Sequence, residues 1–201
     1  MHSLPKEVLF QGFRVYNIMD CTNCQPKTCR DSESCGIEKF DSREIIKDYQ
    51  ELENQIILQA AASLVDNGKA GTLSRLQETI EFIKRMEYKK VGLAYCYGME
   101  KDAKLMKEIF KAEDIKLRTV SCTVGGINQN KLNSTSCTEK VSCNPLGQAR
   151  ELNDEEVDFV IIMGICLGHD ILLQRNLKPD FTTLVVKDRV FANAPLMALS
   201  Q

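Results

Sequence analysis

The chain has 201 residues, about one domain's worth on a prior of roughly 100–200 residues per domain, and 43% of them are apolar, enough for one core. Its 26 Lys and Arg against 28 Asp and Glu leave a formal charge of −2, with no block of like charge to draw a polyanion or an anionic bilayer, so no nucleic-acid or membrane partner is expected. No run approaches the roughly 18 apolar residues of a membrane span and no secretory signal opens the chain, which predicts a cytoplasmic protein. Nine cysteines, an odd number without a signal, favour bound metal or reactive thiols over disulfides.

Residues 1–18 include the run Glu7-Val8-Leu9-Phe10-Gln11-Gly12, similar to the site of a picornaviral protease used to release purification tags. They are read as an expression scar or a native extension and carry no functional argument.

Residues 19–40 hold Cys21, Cys24, Cys29 and Cys35 amid Asn, Pro, Lys, Ser and Gly. A segment with so little to pack needs an external staple, and short loops of this kind bring sulfurs to a common centre. This predicts a metal knuckle for one soft cation or a cluster, with Lys27 and Arg30 offsetting thiolate charge. The spacing matches neither the common zinc ribbon nor the bacterial ferredoxin run, so the metal stays open; local disulfides or unpaired thiols are the alternative.

Residues 41–90 predict a helical hairpin. Asp41 with Glu44 forms a capping box, and Ile45, Tyr49, Leu52, Ile56, Ala60 and Leu64 recur at helical spacing until Asn67-Gly68. Thr72 caps a second helix with Leu76, Ile80, Ile83 and Met86 on its apolar side.

Residues 91–201 alternate strands with helices. Short segments at 91–96, 117–122, 159–163 and 182–186, the first and third of them nearly all apolar, predict strands, separated by a helix over 102–113, one opened by Asn144-Pro145, and a short one after Gly168-His169-Asp170. The fold class is α/β: a mostly parallel, Rossmann-like sheet of about four or more strands with flanking helices.

That topology assembles a second cysteine set. Cys96, Cys122 and Cys166 fall at or just past successive strand ends, and Cys143 precedes the Asn144-Pro145 helix, where free N–H groups favour a thiolate. All four meet at the carboxyl edge, where open α/β sheets bind ligands. The bland alternative is that they are small core residues. Gly98, Gly125, Gly126, Gly164 and Gly168 mark the same edge and suit close backbone approach to a ligand, or simply loop turns. No G-x-G-x-x-G or P-loop lysine pattern points to a dinucleotide or a nucleoside triphosphate. His169 with Asp170 is a candidate acid, and the run Lys187-Asp188-Arg189, entered through Lys187, is a candidate contact for an anionic substrate; a packing histidine and a solvated charge run are the alternatives. Cys137 has no assigned role.

Five strings lie in order behind the N-terminal cysteines. They are Tyr95-Cys96-x-Gly98, Val120-Ser121-Cys122-x-Val124-Gly125-Gly126, Cys143-Asn144-Pro145-x-Gly147-Gln148-Ala149, Gly164-x-Cys166-x-Gly168-His169-Asp170 and Leu184-Val185-Val186-Lys187-Asp188-Arg189-Val190. From Met19 to Leu199 the chain resembles a family of uncharacterised cysteine-rich metal-binding proteins, a domain of unknown function found mainly in archaea and anaerobic bacteria. The resemblance implies metal binding and an anaerobic setting. It supports Cys21, Cys24, Cys29 and Cys35 as one ligand set and Cys96, Cys122, Cys143 and Cys166 as another. Gly125, Gly126, Asn144, Gln148 and Gly168, which lie on these strings, are the candidate cofactor-binding residues.

The resulting expectation is an iron–sulfur protein with one or two [4Fe-4S]-type clusters, the crevice cluster catalysing sulfur transfer, desulfuration or reduction of a small molecule. His169, Asp170 and Lys187 would be the catalytic side chains, and a small-molecule substrate or a redox protein the partner. The rivals are a binding module with zinc in the N-terminal motif that stores or delivers a soft metal, and a thiol enzyme that works without metal.

Overall fold

In the computed structural model, which describes residues 9–10, 13–14, 19–36 and 38–200, the chain divides into two units, residues 1–56 and 57–201. In the first, β1 (Leu9–Phe10) pairs antiparallel with β2 (Phe13–Arg14). The rest of the expected scar or extension lies outside the described residues. The cysteine-rich stretch forms one 3-10 turn, Thr28–Asp31, which buries no residue.

Helix α1 (Ser42–Gln50) starts at Asp41, whose side chain accepts Arg43 N–H and pairs with the Arg43 guanidinium rather than closing the expected box on Glu44. The single expected helix from Asp41 to Leu64 is in fact two. Glu51, with ψ 136°, leaves the helical region, and α2 (Leu52–Val65) begins at once. The side-chain amides of Asn54 and Gln55 donate to the Asp48 and Tyr49 carbonyls, satisfying acceptors that the end of α1 frees.

In the second unit, α3 (Arg75–Arg85) is capped by Ser74 instead of Thr72. Ser74 accepts Gln77 N–H and the Gln77 side chain accepts Ser74 N–H, a reciprocal box, while Thr72 donates its hydroxyl to the Lys69 carbonyl. The expected alternation follows as β3 (Val91–Tyr95), α4 (Glu100–Ala112), β4 (Leu117–Ser121), a short α5 (Gln129–Leu132), α6 (Pro145–Asp154), β5 (Phe159–Met163), α7 (His169–Asn176) and β6 (Asp180–Val185).

The four strands β3 to β6 make a wholly parallel sheet in the order β4-β3-β5-β6, so the fold is α/β and Rossmann-like. Right-handed crossovers put α4 on one face and α6 and α7 on the other. Asn153 ties the latter two together by donating to the Asn176 carbonyl at 2.8 Å and accepting Lys178 N–H at 3.0 Å. The central strands carry the apolar runs because both of their faces are covered: β5 is buried throughout, and Leu93, Phe110, Leu152, Ile161 and Leu173 are fully withdrawn from water. Each such side chain contributes about 1.5–3 kcal/mol. Helix α6 packs so closely on β3 that a Cβ at Gly92 would stand 2.7 Å from Leu152 Cδ2. Among the described residues no helix is long and apolar enough to cross a membrane.

Candidate functional site

Strand order sets the location of the crevice. From β3 the chain moves outward to β4, and from β5 it moves outward the other way to β6, so the carboxyl ends of β3 and β5 flank a topological switch point. Cys96 follows β3, Cys122 follows β4, Cys166 lies in the loop after β5, and Cys143 sits at the entrance of α6.

Hydrogen bonds extend past the strand ends and hold these backbones. Cys96 N–H donates to the Met163 carbonyl at 3.1 Å, Cys122 N–H to Tyr95 at 2.9 Å, Asn144 N–H to Cys122 at 2.6 Å and Gly164 N–H to Val185 at 2.8 Å. Asn144 caps α6 through Gly147 N–H at 2.9 Å, and its amide donates to the Val124 carbonyl at 3.1 Å, tying the Gly125-Gly126 turn to the helix. Gln148, fully buried, donates to Tyr95 O at 3.3 Å and Val120 O at 2.9 Å, bridging the ends of β3 and β4. Both side chains therefore brace the rim. Gly125, Gly126, Gly164 and Gly168 all take positive φ, and Gly164 has a second constraint, since a Cβ there would meet Met99 Sδ at 2.1 Å.

The sulfurs differ in their surroundings. Cys96 and Cys122 are buried, Cys143 and Cys166 half-buried. Cys143 Sγ lies 3.5 Å from Cys122 Sγ, which also accepts Tyr97 N–H at 3.3 Å. Burial pushes the Cys122 thiol up to about 12, with Tyr97 N–H working against it and Cys143 and Cys96 adding to it. Burial also pushes Cys143 up; the contact with Cys122 and the charge of Arg189 lower it, while Cys166 and Cys96 raise it. The four thiols thus stand within electrostatic reach of one another.

Arg189 was not singled out within its charge run, yet its Nη2 donates to Cys166 Sγ at 2.9 Å. A stapled turn presents it. The Asp188 carboxylate accepts Val190 and Phe191 N–H, both at 2.8 Å, and Asn193 closes the turn on Asp188 from both sides of the peptide. Asp188 and Asn193 bracketing the arginine are the sequence signal for such a turn. Lys187, the expected anion contact, is half-buried and makes no hydrogen bond or ion pair among the described residues. His169 opens α7 with Nδ1 buried and without a hydrogen-bond partner among the described residues, and Asp170 in the first turn accepts Gly168 N–H at 3.0 Å and Ile171 N–H at 2.8 Å.

In the N-terminal set Cys21 and Cys29 are exposed, Cys24 and Cys35 half-buried. Asp20 accepts from Thr22 and Asn23, and Glu38 accepts Cys35 N–H at 3.1 Å, so the local order comes from side chains bonding nearby side chains and backbone. All nine cysteines are free thiols, Cys137 exposed among them. Among the described residues no three His, Cys, Asp or Glu side chains converge closely enough to hold a single metal ion.

The model of a family described as protein of unknown function (DUF1847) matches residues 34–184, a span that takes in Cys35 and the four crevice cysteines. An uncharacterized protein of Methanocaldococcus jannaschii, MJ0455, is 39% identical over 178 residues, covering 87% of this chain and 90% of its own length. No solved structure matches the chain.

Proposed function

The chain belongs to the DUF1847 family of proteins of unknown function, and from that premise we propose that its α/β unit holds an iron–sulfur cluster on Cys96, Cys122, Cys143 and Cys166. One observation carries the reading: three parallel strand ends and one helix entrance deliver four thiols to the switch-point crevice, two of them 3.5 Å apart. The donor set fits such a group, since it is all sulfur. Four thiolates around one ion, each about 2.3 Å from it, would have to converge closely. Among the described residues no three such side chains converge that closely, and an all-sulfur set also suits an iron–sulfur cluster. When bound, the cluster supplies electron transfer, or iron for sulfur transfer, desulfuration or reduction of a small molecule.

The chain's own residues have separable tasks in this reading. Tyr97 N–H bonds the Cys122 sulfur and tunes it, while Asn144 and Gln148 hold the rim loops in register. Gly125, Gly126 and Gly168 let the backbone close on the group. His169 is the proton carrier, with Asp170 fixing the α7 entrance beneath it, and Lys187 adds positive charge to the substrate side. Cys21, Cys24, Cys29 and Cys35 hold a second cluster, or zinc, and a small-molecule substrate or a redox protein meets the crevice in the cytoplasm.

Metal and sulfide analysis of full-length protein prepared without oxygen tests the reading. The expected result is a brown protein with iron and sulfide in comparable amounts, and in Cys122→Ala/Cys143→Ala loss of about half of both where the N-terminal set holds a second cluster and of nearly all where it holds zinc. A colourless protein carrying only zinc, or a double variant with its full iron, overturns it.

A further inference from the structure

We propose that Cys143 and Cys122 are a redox gate on the crevice: with no cluster bound, the two thiols exchange with a small-molecule disulfide and close on each other, which withdraws two of the four sulfurs a cluster would take. The inference rests on the cluster reading for what is gated and names the regulation of that same site.

Three observations carry it. The first is proximity confined to one pair. Cys143 Sγ stands 3.5 Å from Cys122 Sγ, although the residues are 21 positions apart, and among the described residues no other two cysteine sulfurs are hydrogen-bonded. A disulfide closes at about 2.0 Å, so the sulfurs have about 1.5 Å left to travel, which side-chain rotation covers. The second is the backbone beneath them. Asn144 N–H donates to the Cys122 carbonyl at 2.6 Å, Cys122 N–H to the Tyr95 carbonyl at 2.9 Å, and the Asn144 amide to the Val124 carbonyl at 3.1 Å. The fold has therefore already closed the loop between the two cysteines, and the new bond adds little ordering cost.

The third is access. Cys122 is 2% exposed and its sulfur is also held by Tyr97 N–H at 3.3 Å, whereas Cys143 is half-buried at the entrance of α6. A reagent from solution meets Cys143 first, and Cys122 is in place beside it to complete the exchange.

The exchange needs one co-reactant, a small disulfide such as oxidised glutathione. The Cys143 thiolate bonds to one of its sulfurs, its S–S bond breaks, and one glutathione thiolate leaves with the electron pair. Cys122 then loses its proton to buffer and bonds to Cys143 Sγ, and the second glutathione thiolate leaves in the same way. Two protein thiols are oxidised, one disulfide is reduced to two thiols, and the two protons the protein releases are matched by the two that the leaving thiolates take up. A dithiol reductant runs the exchange backwards and restores both ligands.

The full-length chain, reduced and chelated, is treated with oxidised glutathione without oxygen, and its disulfides are mapped by mass spectrometry. Cys122 should be joined to Cys143, with no glutathione left on either. Cys122→Ser should trap glutathione on Cys143, and Cys122 in Cys143→Ser should take up glutathione at least about tenfold more slowly than that. Loading is measured as iron and sulfide uptake by the chain carrying Cys21→Ser, Cys24→Ser, Cys29→Ser and Cys35→Ser, in which the N-terminal set no longer competes. Prior oxidation should lower uptake at least about tenfold and dithiothreitol should restore it. The proposal is overturned if Cys122 or Cys143 is joined to another cysteine, if wild-type Cys143 keeps its glutathione, or if the oxidised chain loads as the reduced one does. A reduced chain that takes up neither iron nor sulfide overturns the cluster reading and the gate with it, whereas a gate that fails alone leaves the reduced chain loading normally.

Discussion

Cys21, Cys24, Cys29 and Cys35 are neighbours in the chain, whereas Cys96, Cys122, Cys143 and Cys166 are strangers brought together by a sheet. The first set sits in a polar stretch whose one turn buries no residue, so the conformational cost of gathering four sulfurs falls on whatever they bind. Three of the second set follow strand ends and the fourth stands at the entrance of α6, and burial of Leu93, Ile161 and their neighbours has already met that cost. A site assembled by chain proximity depends on its ligand for shape. One assembled by a core keeps its shape when empty and holds its thiols out of water, and that burial raises Cys122 and Cys143.

The largest expected effect that would break this contrast is in hydrogen exchange. On chelation, amides over 20–36 should lose essentially all protection, while those of β3 and β5 stay protected by orders of magnitude, exchanging only through global opening. Equal loss in both regions would show that the crevice, too, is shaped by its ligand.

A second test uses alkaline pH. Cys122 titrates near 9.0 in an ordinary setting and about 12 in the fold. Between those values the unfolded chain has released a proton that the folded chain retains, so stability is unaffected below the lower value and falls as pH rises toward the upper, by up to about 1.4 kcal/mol per pH unit. Chemical denaturation of the chelated chain across that window should show the decline, and Cys122→Ala should make it shallower, with the raised Cys143 contributing to what remains.

The smallest effect sharpens the contrast at two glycines. Gly164→Ala forces a Cβ onto buried Met99 at a positive φ of 64° and should cost about 1–3 kcal/mol in thermal or denaturant unfolding. Gly36→Ala, at φ 73° with nothing within 4 Å, should cost about 1 kcal/mol or less.

The sheet was legible because strands covered on both faces must be apolar at every position, and Val91–Tyr95 and Phe159–Met163 are. The α6 start was legible for a local reason, an Asn cap followed by proline. The break at Glu51 carries no Gly or Pro and escapes any local rule. The shift of the α3 cap from Thr72 to Ser74 depended on which hydroxyl had a glutamine three residues on, a pattern present in the sequence and passed over. Of the site, the cysteines were placed by topology, but the roles of Asn144 and Gln148 as braces and the contact of Arg189 with Cys166 join residues 20 or more apart.

Local patterning therefore determined the α/β class, the order of strands and helices along the chain, and which cysteines end strands, because hydrophobic period and capping act within a few residues. Only the tertiary structure decided the strand order in space, the 3.5 Å approach of Cys143 to Cys122, and the contact of Arg189 with Cys166. Those outcomes turn on which elements pack side by side, and packing is settled by burial and backbone pairing across the whole unit, which no local window contains.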